Sequence, residues 1–498
     1  MMSKTILSSG RGIILLLPLL LLTSLPVQAA LPERILTDKG AVTGMALPTR
    51  DGSGVHEDVM SYRGIPYAAP PVGELRWRPP QTASAWHGDR DATTFSAMCA
   101  QNFPSGRGND RIQESGMSED CLYLNVTSAA QSPEARLPVL VWFHGGSLTS
   151  GWGNSHAPNS APLPRKGVVV VSVNHRLGPL GYFSHPALSA ESPQGVSGNY
   201  GSLDTIAALQ WVQNNIAAFG GDPDRVTIAG VSGGGEKVLF LMASPLAEGM
   251  FHRALVMSGG IANVPLERTE QAGVDLLERI GIESSEQTLA RMRATPWQEL
   301  VTTAASREGR YRSVFTLDNW SLQGLAAQQD VPIILGLMGS EKEPDTSPPY
   351  IARALTPAVE PLSDVYAYVF THLPYGWGSN GGLAYHGGDV SYLFGALENI
   401  AGHYGNLFRP GPRQNIPADP GLDHRDDWVS EAFMSMLVQF ARNGDPNLDE
   451  AAFERLGKSW RWPRLDNNDQ YLDIGIKPIV KTGWVRAGSN QRRPRYEE

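Results

Sequence analysis

From residue 138 onward, short β-branched runs alternate with longer segments of helical period. The runs are PVLVWF, VVVVSVN, VTIAG, ALVM, PIILG and YAYVFT. Strands this continuously apolar must be covered on both faces, and the intervening helices supply the cover. The pattern therefore predicts an α/β fold with a central, mostly parallel, twisted sheet flanked by helices. Between the second and third runs, YGSLDTIAALQWVQNNIAAFGG repeats Leu203, Ile206, Ala207, Leu209, Val212, Ile216 and Phe219 at helical spacing, and Gly220-Gly221 stops it. A second helix is expected over DWVSEAFMSMLVQFARNG, whereas residues 60 to 135 are rich in Pro, Gly and turns. A chain of 498 residues has ample length for such a core, and no repeat or long linker divides it.

The stretch AGVSGGGEK, residues 229 to 237, admits two chemistries. Gly230 and Gly235 have the spacing of a phosphate-binding loop, but Glu236 follows where Lys is required, and Lys237 comes one place late with Val238 behind it. A carboxylate there would face the phosphate it should help bind. Gly230, Ser232 and Gly234 complete Gly-x-Ser-x-Gly instead. VTIAG reads as a buried strand and EKVLFLMAS as a helix, and a nucleophile elbow requires that strand, tight turn and helix. An activated hydroxyl also needs donors for its oxyanion. His144-Gly145-Gly146-Ser147 follows the PVLVWF strand and suits a loop whose backbone N–H groups face developing negative charge. Gly146, Ser147 and Gly233 are the expected oxyanion-hole donors.

Lys4 and Arg11 precede the apolar run IILLLPLLLLT, which is too short to span a bilayer comfortably. SLPVQA follows with small residues at Val27 and Ala29, so residues 1–29 read as an export signal cut after Ala29, leaving 30–498 as one catalytic domain. No cysteine near the cleavage point suggests lipid attachment. The chain has two cysteines, Cys99 and Cys121, and outside the cytoplasm two lone thiols pair more readily than they hold a metal. A formal charge of -9 argues against nucleic acid and anionic membranes as partners.

The blocks YRGIPYAAPPVGELRWRPPQ, SEDCLYLNV, HGG, NHRLGPLGYF, GNYGSLDTIAALQWVQNNIAAFGGDPDRVTIAG and FARNGDPN occur in an order that resembles the type-B carboxylesterase family, the cholinesterase-like branch of the α/β-hydrolases. The resemblance runs from about residue 35 to 480. It implies an α/β-hydrolase fold and a triad in the chain order Ser, acid, His. PIILGLMGSEKEPD resembles the acid block, which makes Glu341 the orienting carboxylate with Glu343 and Asp345 close by; LAYHGGDVSYLFG resembles the His block, which makes His386 the base for Ser232. It also implies that Cys99 and Cys121 close the family's first disulfide loop. Two structural ion pairs follow from it as well, Arg76 with Glu119 and Arg176 with Asp204.

Three departures from the family pattern bear on function. Val231 and Gly233 flank the serine where Glu and Ala are usual, and Glu236 and Lys237 stand where small or apolar residues are usual, pairing with each other or the surface, or serving catalysis. The segment between the cysteines contains no Trp, so choline esters are not expected substrates. The stretch from Glu341 to His386 is short, and TSPPYIARALTPAVEPLSD runs almost directly into the YAYVF strand. A reduced lid would leave a more open site for bulky acyl or alcohol groups, unless loops such as THLPYGWGSNGG fill the space. The expected function is hydrolysis of small-molecule or polymeric carboxylic esters without metal or organic cofactor, by a monomer or small homo-oligomer. Amide, lactone or carbamate hydrolysis by the same triad, and an inactive binding module, are the alternatives.

Overall fold

The computed structural model describes residues 31–49, 52–102, 116–283, 285–306, 311–324, 328–342, 364–379, 382, 384–400, 419–451, 461–465, 470–482 and 484. The proposed export signal, Glu343, Asp345 and most of the short connection before the YAYVF strand lie outside the described residues. Eleven strands form one sheet: β1 (Met45–Pro48), β2 (Val55–Pro66), β3 (Tyr123–Ser128), β4 (Leu137–Phe143), β5 (Val169–Val173), β6 (Gly221–Val231), β7 (Arg253–Met257), β8 (Ile333–Met338), β9 (Val365–Phe370), β10 (Gln470–Ile474) and β11 (Ile479–Thr482). Their spatial order is β11-β10-β9-β8-β7-β6-β4-β5-β3-β2-β1. From β10 to β5 every neighbouring pair is parallel. The pairs outside that block, β10 with β11 and β5 through β3 and β2 to β1, are antiparallel.

All six β-branched runs are strands of the parallel block, and period-two alternation divides them between two cores. Val139, Val141 and Phe143 of β4 face one core with Val226 and Ile228 of β6; Leu140 and Trp142 face the other with Ala229 and Val231. The first core is closed by α1 (Tyr200–Asn215) and α2 (Gly233–Met242) through Leu209, Val212, Val238 and Leu239. The second is closed by α4 (Asp389–Phe394) and α5 (His424–Asn443) through Leu393, Val429, Phe433 and Leu437. A single-turn helix, α3 (Gly339–Lys342), follows β8 directly. An Asp423–Asp426 capping box starts α5, and Gly444 ends it at φ 85°.

The turn-rich stretch proves to contain β2 and β3, an antiparallel pair. Its register shifts between Tyr62 and Ile65, where Gly64 takes φ 63° and a Cβ would lie 2.9 Å from Thr94 O. That bulge breaks the alternation by which a strand is recognised in sequence. The helix expected from Glu236 starts three residues earlier, immediately after Ser232. Among the described residues, no helix is long and apolar enough to cross a membrane.

Candidate active site

Four of the elements that carry the site converge at the C-terminal end of the parallel strands. β6 ends at Val231, α2 begins at Gly233, and Ser232 between them is held at φ 57°, ψ −125°. Its N–H donates to Met257 O at 2.8 Å and its carbonyl accepts from Glu236 N at 3.0 Å, so both sides of the turn are fixed. A non-glycine residue in this region stores roughly 1–3 kcal/mol of strain, which its surroundings must offset. The elbow needs its glycines because strand and helix nearly touch. A Cβ on Gly234 would lie 2.1 Å from Phe143 O, and one on Gly230 would lie 2.5 Å from Gly234 C.

β4 delivers the second component. After Phe143 the chain turns through Gly146 at φ 107°, Ser147 at φ 51° and Leu148 at φ 59°. Gly146 O accepts from Thr149 N at 2.9 Å and Ser150 N at 3.0 Å, which locks the loop. Among the described residues, the N–H groups of Gly146, Ser147 and Gly233 find no acceptor. The loop packs onto the elbow so closely that a Cβ on Gly233 would sit 2.8 Å from Ser147 N and 3.0 Å from Leu148 N. The Gly that replaces the usual Ala therefore fills a steric requirement of this loop.

The one-turn α3 after β8 carries Glu341, which is 5% exposed. One carboxylate oxygen forms a short hydrogen bond with His386 Nδ1. The other accepts from Ser258 Oγ at 2.7 Å and Met338 N at 2.8 Å. That bond commits Nδ1 of His386 to Glu341 and orients the ring. Burial opposes protonation of His386, but the hydrogen bond and charge of Glu341, with Asp389 and Glu236 adding to them, hold its pKa above the usual histidine value. Asp389 is buried beside the pair, and Tyr368 Oη donates to it at 2.6 Å. Burial pushes the Asp389 carboxyl up to about 7, with Glu341 adding to the effect.

The comparisons decide what this geometry belongs to. A model described as the carboxylesterase family matches residues 32–341 and 349–492. The chain belongs to the carboxylesterase family. It is a carboxylic ester hydrolase with the α/β-hydrolase fold. An acylcarnitine hydrolase of Mus musculus is 41% identical over 544 residues, covering 91% of this chain and 89% of that one. A fumonisin B1 esterase of Sphingopyxis macrogoltabida is 46% identical over 263 residues, a match spanning 51% of this chain and 46% of that protein. A crystal structure of a Geobacillus stearothermophilus carboxylesterase superposes with a TM-score of 0.72 at 26% identity, covering 92% of this chain and all of that one.

In this carboxylesterase the other residues singled out in the sequence bond to one another in pairs. Cys99 and Cys121 are joined as a disulfide. Arg76 Nε donates to Glu119 at 2.6 Å, with a second, shorter bond beside it, and Arg76 also donates to the Thr295 carbonyl at 2.5 Å. Arg176 grips Asp204 through bonds of 2.8 and 2.6 Å, both residues being buried. Lys237 is not a surface residue as one sequence reading allowed: it is fully buried. Ser258 and Asp389 were missed by sequence reasoning. Asp389 lies three residues past His386 and invited attention; Ser258, in the plain run VMSGG, carries no such signal.

Proposed function

We propose that Ser232, His386 and Glu341 work as nucleophile, base and orienting acid in ester hydrolysis, with Gly146, Ser147 and Gly233 as oxyanion-hole donors. The observation that carries the reading is the Glu341 clamp. A carboxylate held by Ser258 and Met338 fixes the ring of His386 through Nδ1, while an elbow serine stands beside unengaged N–H groups. In this mechanism His386 Nε2 takes the Ser232 proton as Oγ attacks the ester carbonyl. The backbone donors stabilise the tetrahedral oxyanion. His386 then protonates the leaving alcohol, and water releases the acid from Ser232 by the same route.

The substrate class proposed is a bulky carboxylic ester, supported by the short Glu341–His386 stretch and by the relatives named for fumonisin B1 and acylcarnitine. Export is proposed from the apolar N-terminal run together with the disulfide. A panel of p-nitrophenyl esters, from acetyl to long-chain and aromatic acyl groups, tests the function on the protein and its Ser232→Ala variant. The variant is expected to lose at least a thousandfold in kcat, and bulky acyl groups are expected to be accepted. Equal activity in the two proteins would remove the assignment, and a strong preference for acetyl esters would remove the open site.

A further inference from the structure

Behind the oxyanion loop lies a cluster that the mechanism above does not use. Lys237, on the second turn of α2, is fully buried, and its Nζ donates to Gly233 O at 3.0 Å. His144, at the start of the oxyanion loop, and His175, just after β5, stack with ring centroids 4.3 Å apart and planes 12° from parallel. Nδ1 of His144 is engaged with Gly145 O at 2.8 Å. The Nε2 atoms of both rings are buried without a partner. Burying an ammonium costs several kcal/mol even after relaxation, so a lysine with one hydrogen bond in a protein core calls for an explanation. The family pattern places a small or apolar residue there, and nothing in helix packing requires a cation.

We propose that Lys237 is a positioning residue for the oxyanion hole: a buried ammonium, tied to the Gly233 carbonyl, that makes the hole more positive when acyl transfer generates its anion. The inference rests on the oxyanion-hole assignment of Gly146, Ser147 and Gly233. Gly233 is the link between charge and site. Its carbonyl holds Nζ, its own N–H is one of the proposed donors, and a Cβ added to it would lie 2.8 Å from Ser147 N. Adding a hydrogen bond on each side of one residue separates ammonium and oxyanion by about 8 Å. Across that distance, at an effective dielectric near 20, the attraction is worth roughly a thirtyfold change in rate. The two imidazoles supply polar surroundings without competing charge. Burial and the Lys237 charge hold both well below the usual histidine pKa, so they stay neutral.

Among the described residues, the titratable groups facing Lys237 are Glu236 on its own helix, His144 after β4 and His175 after β5. Burial lowers the Lys237 pKa and the Glu236 charge opposes that shift. The cation is thus lost at about pH 7, well below the ordinary lysine value of about 10.4. The reading predicts that deprotonation of His386 raises the rate and deprotonation of Lys237 lowers it.

The test is the pH profile of kcat/KM for a p-nitrophenyl ester between pH 5 and 10, for the wild type, Lys237→Met, Lys237→Arg and Ser232→Ala. The wild type is expected to show an alkaline limb of roughly thirtyfold, with its midpoint well below the lysine range. Lys237→Met is expected to run at the lower plateau throughout, with kcat reduced and KM unchanged. Lys237→Arg is expected to hold the higher plateau without the limb, which a purely packing role would not produce. A Lys237→Met protein with the wild-type rate and limb overturns the proposal. Should the variants fail to fold, a wild-type profile without an alkaline limb overturns it alone. Activity surviving in Ser232→Ala would instead strike the triad on which the proposal rests.

Discussion

Gly233 shows how closely the chemistry depends on single atoms. Its missing Cβ is the space into which Ser147 N and Leu148 N settle, at 2.8 and 3.0 Å from where that carbon would be. Gly233→Ala is therefore expected to push the oxyanion loop outward and lower kcat by roughly 10- to 100-fold, with little change in KM, since the donors serve the transition state. Steady-state kinetics on one ester check this. Ser258 acts on the other side of the site. Removing its hydroxyl leaves a buried carboxylate oxygen of Glu341 short of one donor, and Ser258→Ala is expected to cost about 1–3 kcal/mol of stability in urea melts, with kcat reduced as well. The placement of single residues was legible in proportion to the local backbone signal. Ser232 sits in a turn that only a glycine pattern permits, and Gly146 announces its loop in the same way. Ser258 was invisible because its role depends on β7 and β8 being neighbours, which spacing along the chain does not reveal.

At the scale of elements, the parallel strands could be read because each is buried on both faces and so carries an unbroken apolar run. β2, β3, β10 and β11 escaped because they are antiparallel or lie near the sheet's ends, where polar and turn residues interrupt the run. The connections that hold these pieces are open to test. Arg176 and Asp204 join the loop after β5 to α1, and both are buried. Asp204→Ala leaves the guanidinium uncompensated and is expected to destabilise the fold by ~3–5 kcal/mol, measured by urea unfolding. The disulfide closes a sequence separation of 22 residues. Replacing both cysteines with serine is expected to cost about 3 kcal/mol in the chain-entropy model, again read from the urea midpoint.

The whole molecule carries buried charges whose titration governs its stability. Asp389 is raised to about 7, so the folded chain retains a proton that the unfolded chain has released above about 3.9. Its stabilising contribution is present at acid pH and is lost as pH rises toward 7. Lys237 has the opposite sign. Its folded pKa is lowered, so the unfolded chain binds more protons up to about 10.4, and stability rises with pH as the folded-state ammonium is relieved. Asp389→Asn is accordingly expected to be more stable than the wild type at pH 8 and little different at pH 4, while Lys237→Met gains most at pH 6 and least at pH 10. Urea midpoints across that range check both.

The proposed function requires the Ser232 hydroxyl to meet the His386 imidazole. Labelling with a fluorophosphonate, followed by peptide mapping, tests that claim most directly. One adduct per chain is expected on Ser232, absent in Ser232→Ala and formed at least a thousandfold more slowly in His386→Ala. An adduct on another residue, or labelling undiminished by either substitution, would contradict it.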